Sequence, residues 1–175
     1  MSRTFFVSAL LFVLTLHLQA DSQDQAAALG QKMPDGVYRV LREGASEKDV
    51  LPLRTGEAIV PDRSRYLKQP GNTPPRFLIV PSQPTVPLAL AREPVATNDG
   101  GDLRIQLKLQ PAAAAALEKV TREHPDGQLT IVLKNEVITT HKIRAVITDG
   151  DVQITSCVVG AAEYLLEQLR ALYKQ

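Results

Sequence analysis

Two hydrophobic periods joined by a proline constrain this chain more than any other feature. Leu103, Ile105, Leu107 and Leu109 alternate with Arg104, Gln106 and Lys108, the spacing of a strand with one buried face. Pro111 follows at once, where a helix can begin because its first N–H needs no partner. Ala113, Ala116, Leu117 and Val120 then fall on one helical stripe. The alanines of the first turns imply that this helix lies close to a sheet. Pro125-Asp-Gly127 ends it.

Beyond that break the strand period returns. Leu129, Ile131 and Leu133 alternate with Thr130 and Lys134, and Asn135-Glu136 is read as a hairpin turn. A second strand is expected over Val137–Ile147, bent near His141. Asp149-Gly150 reads as a further hairpin signal, with Val152 and Ile154 behind it. Ala162, Leu165, Leu166 and Leu169 set out a closing helix whose Arg170 and Lys174 complement its C-terminal dipole. The order strand–helix–strand–strand–(strand)–helix predicts an α+β domain over residues 98–175, with helices on one face of an antiparallel sheet.

The residues of this stretch carry a resemblance. Gln128-Leu-Thr-Ile-Val-Leu133, Asn135-Glu-Val-Ile138, Ile143-Arg144, Ile147-Thr148, Gly150 and Gln153-Ile-Thr155 resemble, in register, the periplasmic head subdomain of SecD, a subunit of the export translocase. Leu107-Lys-Leu-Gln-Pro-Ala resembles that family's step from strand to helix. The similarity covers Leu103–Leu169, about two-fifths of the chain. It implies a ferredoxin-like antiparallel sheet with two helices on one face. The sequence departs where the family has Ala-Pro, here Thr140-His141, where it has a second proline, here Val146, and where it has a glycine, here Ser156-Cys157. The family's parent protein crosses the membrane repeatedly, whereas no second apolar run of spanning length occurs here. The expectation is a free-standing, exported copy of the head.

The N-terminus supports export. Arg3 precedes an apolar Phe5–Leu16, and the run closes at Leu18-Gln-Ala20 before polar Asp21. This is the anatomy of a secretory signal peptide over residues 1–20. The run is shorter than the roughly 20 residues of a membrane-spanning helix, so cleavage is expected over retention as an anchor. The mature chain is then periplasmic or extracellular and has no membrane span.

Residues 21–35 read as a flexible, Gln- and Ala-rich leader, and residues 36–97 as a β-hairpin followed by a Pro-rich extended region. The hairpin is drawn over Gly36–Ala58, with Val37–Arg42 as one limb, turn residues in Gly44–Asp49 and Val50-Leu-Pro-Leu as the return. Pro61–Pro94 holds eight of the twelve prolines, too many for a long helix. Extended chain laid on the core, a semi-rigid linker and a ligand for a Pro-binding domain are the three readings. Phe77-Leu-Ile-Val80 is too apolar to leave in water, which favours the first. Asn98-Asp-Gly-Gly101 is a turn signal and marks the start of the α+β domain.

The chemistry-bearing residues are few. Twenty basic and 19 acidic residues give a net charge of +1, which argues against nucleic acid as a partner. Aromatics make up only 5% and Trp is absent, so stacking platforms are not expected. Cys157, the single cysteine, is expected to be buried among Ile154, Val158 and Val159. Three histidines and one cysteine at these spacings make no metal set, and no cofactor is expected. Asp149 and Asp151 flank a turn glycine and read as turn chemistry rather than an acid–base pair. His124 reads as a helix C-terminal group. No catalytic constellation is found. His141 and Lys142 replace apolar residues of the family's hairpin, and with Arg144 they are the candidate binding residues.

Three functions follow. The first is a non-enzymatic, exported binding or accessory module that contacts polypeptide or the export machinery, using exposed edge strands. The second is a structural or assembly protein of the cell envelope that reuses the fold. The third is a secreted hydrolase with an unrecognised site.

Overall fold

A computed structural model of the chain describes residues 32–62, 76–99, 102–157 and 159–174. The expected signal peptide, most of the expected leader and part of the Pro-rich region lie outside the described residues. The architecture of the described residues is α+β, built from antiparallel sheets and three helices. In chain order the elements are β1 (Gly36–Val40), β2 (Arg42–Gly44), α1 (Glu47–Val50), β3 (Glu57–Asp62), β4 (Arg76–Pro81) and β5 (Val86–Pro87). There follow β6 (Val95–Asp99), β7 (Asp102–Lys108), α2 (Pro111–Glu123), β8 (Gln128–Leu133), β9 (Glu136–Lys142), β10 (Asp151–Cys157) and α3 (Val159–Tyr173).

The expected order from β7 to α3 is present, and its local signals act as expected. Gln110 is the N-cap of α2 and Pro111 its first residue. Ala113, Leu117 and Val120 are buried, with Ala116 packed partly beside them. His124 caps the helix through its backbone N–H, which donates to the Val120 carbonyl, and Asp126 takes a left-handed φ of 64°. On α3, Ala162, Leu165 and Leu169 are fully buried.

The pairing differs from a single sheet. Three sheets form, ordered β5-β1-β8-β9, β10-β7-β6 and β2-β4-β3. The first two enclose one core with α2 and α3. Val37, Leu129, Ile131, Leu133 and Ile138 meet Ile105, Leu107, Ile154, Leu117 and Leu165 there. The other face of the four-stranded sheet is also buried. Tyr38, Val132 and Val137 pack on Ala58, Val60, Leu78 and Val80 of the β2-β4-β3 sheet. A register shift between Ile131 and Val132 pairs Val132 with Val137, which puts that pair on the second face and leaves Ile138 for the first. The Tyr38 hydroxyl donates to the Pro34 carbonyl at 2.5 Å, and burial pushes its pKa up to about 12.

Several local expectations are corrected. Gly36–Ala58 is not one hairpin. β1 pairs with β5 and β8, and β2 with β4. Its expected turn is instead the one-turn helix α1, where the Asp49 carboxylate accepts from the Ser46 N–H at 2.7 Å. Val50 is drawn into a third small core with Ile59 and Ile79, and Arg42 ties down the loop behind it by donating to the Val50 and Pro52 carbonyls and to Glu57. The Arg42 hydrogen bond holds the Glu57 carboxyl below its ordinary pKa despite its burial. Phe77–Val80 does lie in a strand, β4, with Leu78, Ile79 and Val80 fully buried. The β8–β9 turn sits one residue early, with Lys134 and Asn135 at positive φ.

The Asp149-Gly150 signal makes no hairpin between neighbours in sequence. β10 crosses to pair with β7, and Gly150 passes close over α2 on the way. A Cβ on Gly150 would stand 2.5 Å from the Ala114 Cβ. At Asn98–Gly101 the strands on either side pair, Asp99 with Asp102, and the two glycines lie outside the described residues. Cys157 closes β10, but its side chain lies outside the described part of the structure, as does Val158.

Candidate functional site

The three candidate residues come together where β9 ends. His141 and Lys142 pair with Leu129 and Gln128 of β8. The strand stops at Lys142 rather than running to Ile147, because the chain there is captured by α2 and the turn behind it. The Ile143 N–H donates to the Gly127 carbonyl at 2.8 Å. The Ile147 N–H donates to Thr121 Oγ1 at 3.1 Å, and that hydroxyl donates to the Leu117 carbonyl at 2.8 Å. Residues 143–147 therefore form a strap from the end of β9 to the last turns of α2.

Strap and strand enclose an open cleft of about 540 Å3. Leu129, Ile143 and Ile147 line its apolar part, and His141, Lys142 and Arg144 its polar part. Ile143 is buried whereas Lys142 and Arg144 on either side of it are exposed, so the strap turns its isoleucine inward and its cations outward. His141 Nε2 lies 2.9 Å from Thr139 Oγ1. The residue is exposed as a whole, yet the protein around its ring removes enough water to lower its pKa below 6.5. Lys142 Nζ lies 3.2 Å from Asp126 Oδ1, both well exposed, a geometry in which an ion pair stabilises by about 1 kcal/mol at most. Among the described residues no carboxylate lines the cleft and no hydrogen bond or ion pair engages Arg144.

The other residues singled out in the sequence stand apart from this cleft. Asp149 Oδ1 accepts from the Asp151 N–H at 3.1 Å, and Asp151 pairs with Lys108 Nζ at 3.0 Å. That is turn and strand chemistry. No group of three or more His, Cys, Asp or Glu among the described residues is placed to hold a metal ion. Thr121 and Ile147 were not legible as site residues. Their only signal was a threonine beside the helix's apolar stripe, which marks a buried hydroxyl without naming what it anchors.

Comparison with known proteins settles the family. The SecDF P1 head subdomain matches residues 85–172, half of the chain. The chain belongs to the SecDF P1 head subdomain family. Among solved structures, SecDF in a super-membrane-facing form is 34% identical over 46% of this chain and 11% of that one, with a TM-score of 0.42. A SecDF described as a membrane component that enhances protein export is 26% identical, with a TM-score of 0.49, over 87% of this chain and 68% of that one. SecDF from Thermus thermophilus, described as a translocon-associated membrane protein, is 27% identical, with a TM-score of 0.44, over 89% of this chain and 21% of that one. The chain thus spans only about a tenth of the first of these proteins and a fifth of the last. No curated protein matches. Among the described residues, no helix is long and apolar enough to cross a membrane.

Proposed function

We propose that this chain is a non-enzymatic polypeptide-binding module that serves protein export outside the cytoplasm. The observation that carries the reading is the end of β9. It is the edge strand of the four-stranded sheet, and it runs into an open cleft with an apolar interior, on a head of the SecDF family. An extended segment can add to such an edge through main-chain hydrogen bonds and place side chains in the adjoining cleft. His141 has Thr139 Oγ1 beside its ring, and among the described residues no carboxylate lines the cleft to orient that imidazole as a general base.

The test is to tag the C-terminus, crosslink intact cells and identify what co-purifies, alongside binding of the purified chain to an unfolded polypeptide. Translocase components or exported chains are the expected partners. If neither is recovered and no unfolded polypeptide binds, the reading falls. One observation favours an envelope assembly role instead. β6 is also an edge strand, and Val95 on it is exposed. Stable oligomers insensitive to translocation would support that alternative.

A further inference from the structure

We infer that the cleft at the end of β9 selects extended polypeptide segments that carry a carboxylate beside apolar side chains. The inference rests on the polypeptide-binding reading above and adds the class of segment. Three positive or protonatable groups, His141, Lys142 and Arg144, stand within four residues on one rim. Among the described residues no carboxylate lines the cleft to neutralise them. Arg144 is exposed and makes no hydrogen bond or ion pair within the described residues, so its planar donor fork is free for a bidentate carboxylate. Lys142 is held only by the exposed Asp126, a pairing weak enough for a second carboxylate to displace. Below the rim, Leu129, Ile143 and Ile147 offer apolar surface.

The occupant is polypeptide rather than an anionic membrane surface for two reasons. A lipid surface is held by a broad cluster of about four to eight cations, and this rim has two, Lys142 and Arg144, with His141 beside them. The apolar groups lie recessed in a concavity rather than on a protruding face, so a bilayer cannot reach them, whereas a side chain can.

The experiment uses the whole chain and two fluorescent, unstructured peptides of equal length and apolar content, one with Asp where the other has Asn. Fluorescence anisotropy measures their binding at low and high salt. The Asp peptide is expected to bind at least about tenfold more tightly at low salt, with the gap shrinking at high salt. Arg144→Glu should abolish the gap, and Arg144→Gln should narrow it. Lys48→Glu, the same charge change on α1 against β2 and β4, should leave it intact. Circular dichroism confirms that each variant folds. Equal binding of both peptides overturns the charge selection while leaving polypeptide binding in place. Binding to anionic vesicles but to neither peptide overturns the occupant proposed. Binding to neither peptide nor vesicle overturns the polypeptide-binding reading as well.

Discussion

The four-stranded sheet of β5, β1, β8 and β9 and the three-stranded sheet of β10, β7 and β6 share a core, yet they meet solvent differently. The second is buried on one face only. Ile105, Leu107 and Ile154 point inward, whereas Gln106 and Gln153 are exposed. The first is buried on both faces where β1, β8 and β9 run, with Tyr38 and Val132 as closed off as Ile131. The cause is the β2-β4-β3 sheet, which lies against its far side. A strand with one buried face alternates, and a strand with two reads as a nearly continuous apolar run. Leu129–Leu133 is such a run, broken only by Thr130, whose hydroxyl is satisfied by donating to the Thr139 carbonyl at 3.1 Å.

The contrast is open to direct attack. The largest effect is expected from placing the same charge in each sheet. Val132→Asp buries an unpaired carboxylate between two packed layers and should cost about 3–5 kcal/mol, enough to unfold a marginal chain. Gln106→Asp on the solvent face should cost about 1 kcal/mol or less. Urea denaturation of the two variants measures both, and similar costs would break the comparison.

The next effect tests how closely α2 lies on the entry to β10. Gly150→Ala must accommodate a Cβ 2.5 Å from that of Ala114 while holding a φ of +70°, and should cost about 2–3 kcal/mol. Gly56→Ala has a similar φ of +80° and nothing within 4 Å, so only backbone strain of about 1 kcal/mol remains. The difference in melting midpoint between the two isolates the contact with the helix. A smaller effect is expected from Tyr38→Phe, which removes the hydroxyl bonded to Pro34 on the doubly buried sheet. It should cost about 1 kcal/mol, read from the same denaturation curves.

The smallest effect is a pH dependence at the cleft. His141 has its pKa lowered by burial, so below 6.5 the unfolded chain binds the proton more readily than the folded one. Its contribution is nil at higher pH and becomes destabilising as pH falls below 6.5. Stability of the wild type compared with His141→Gln, measured between about pH 7.5 and 5.5, should therefore diverge at the acidic end, with the variant the less sensitive. An unchanged difference across that range would show that the ring is not desolvated.

How much of this was legible in the chain differs by region. The alternation of β7, the proline-led start of α2 and the stripe of α3 were readable because each is decided within one element, by period and by a cap. The candidate cleft was half readable. His141 and Lys142 stood out where the resembled family has apolar residues, with Arg144 close by in sequence, but Thr121 and Leu129 join them only through contacts distant in sequence. The bend expected near His141 proved to be the end of the strand, because the Gly127 carbonyl and the Thr121 hydroxyl take the N–H groups of Ile143 and Ile147.

By itself the sequence determined the α+β class, the order of elements from β7 to α3 and the likeness to the SecD head, since local period, turn chemistry and residue-by-residue similarity need no knowledge of partners. Only the tertiary structure decided that these strands divide between two sheets, that β1 joins β8, and that Asp149-Gly150 leads a crossing rather than a hairpin. Strand pairing depends on which distant surfaces bury one another. Gly36–Val40 can pair with Gln128–Val132 only once β3 and β4 are present to cover the face that the helices leave open.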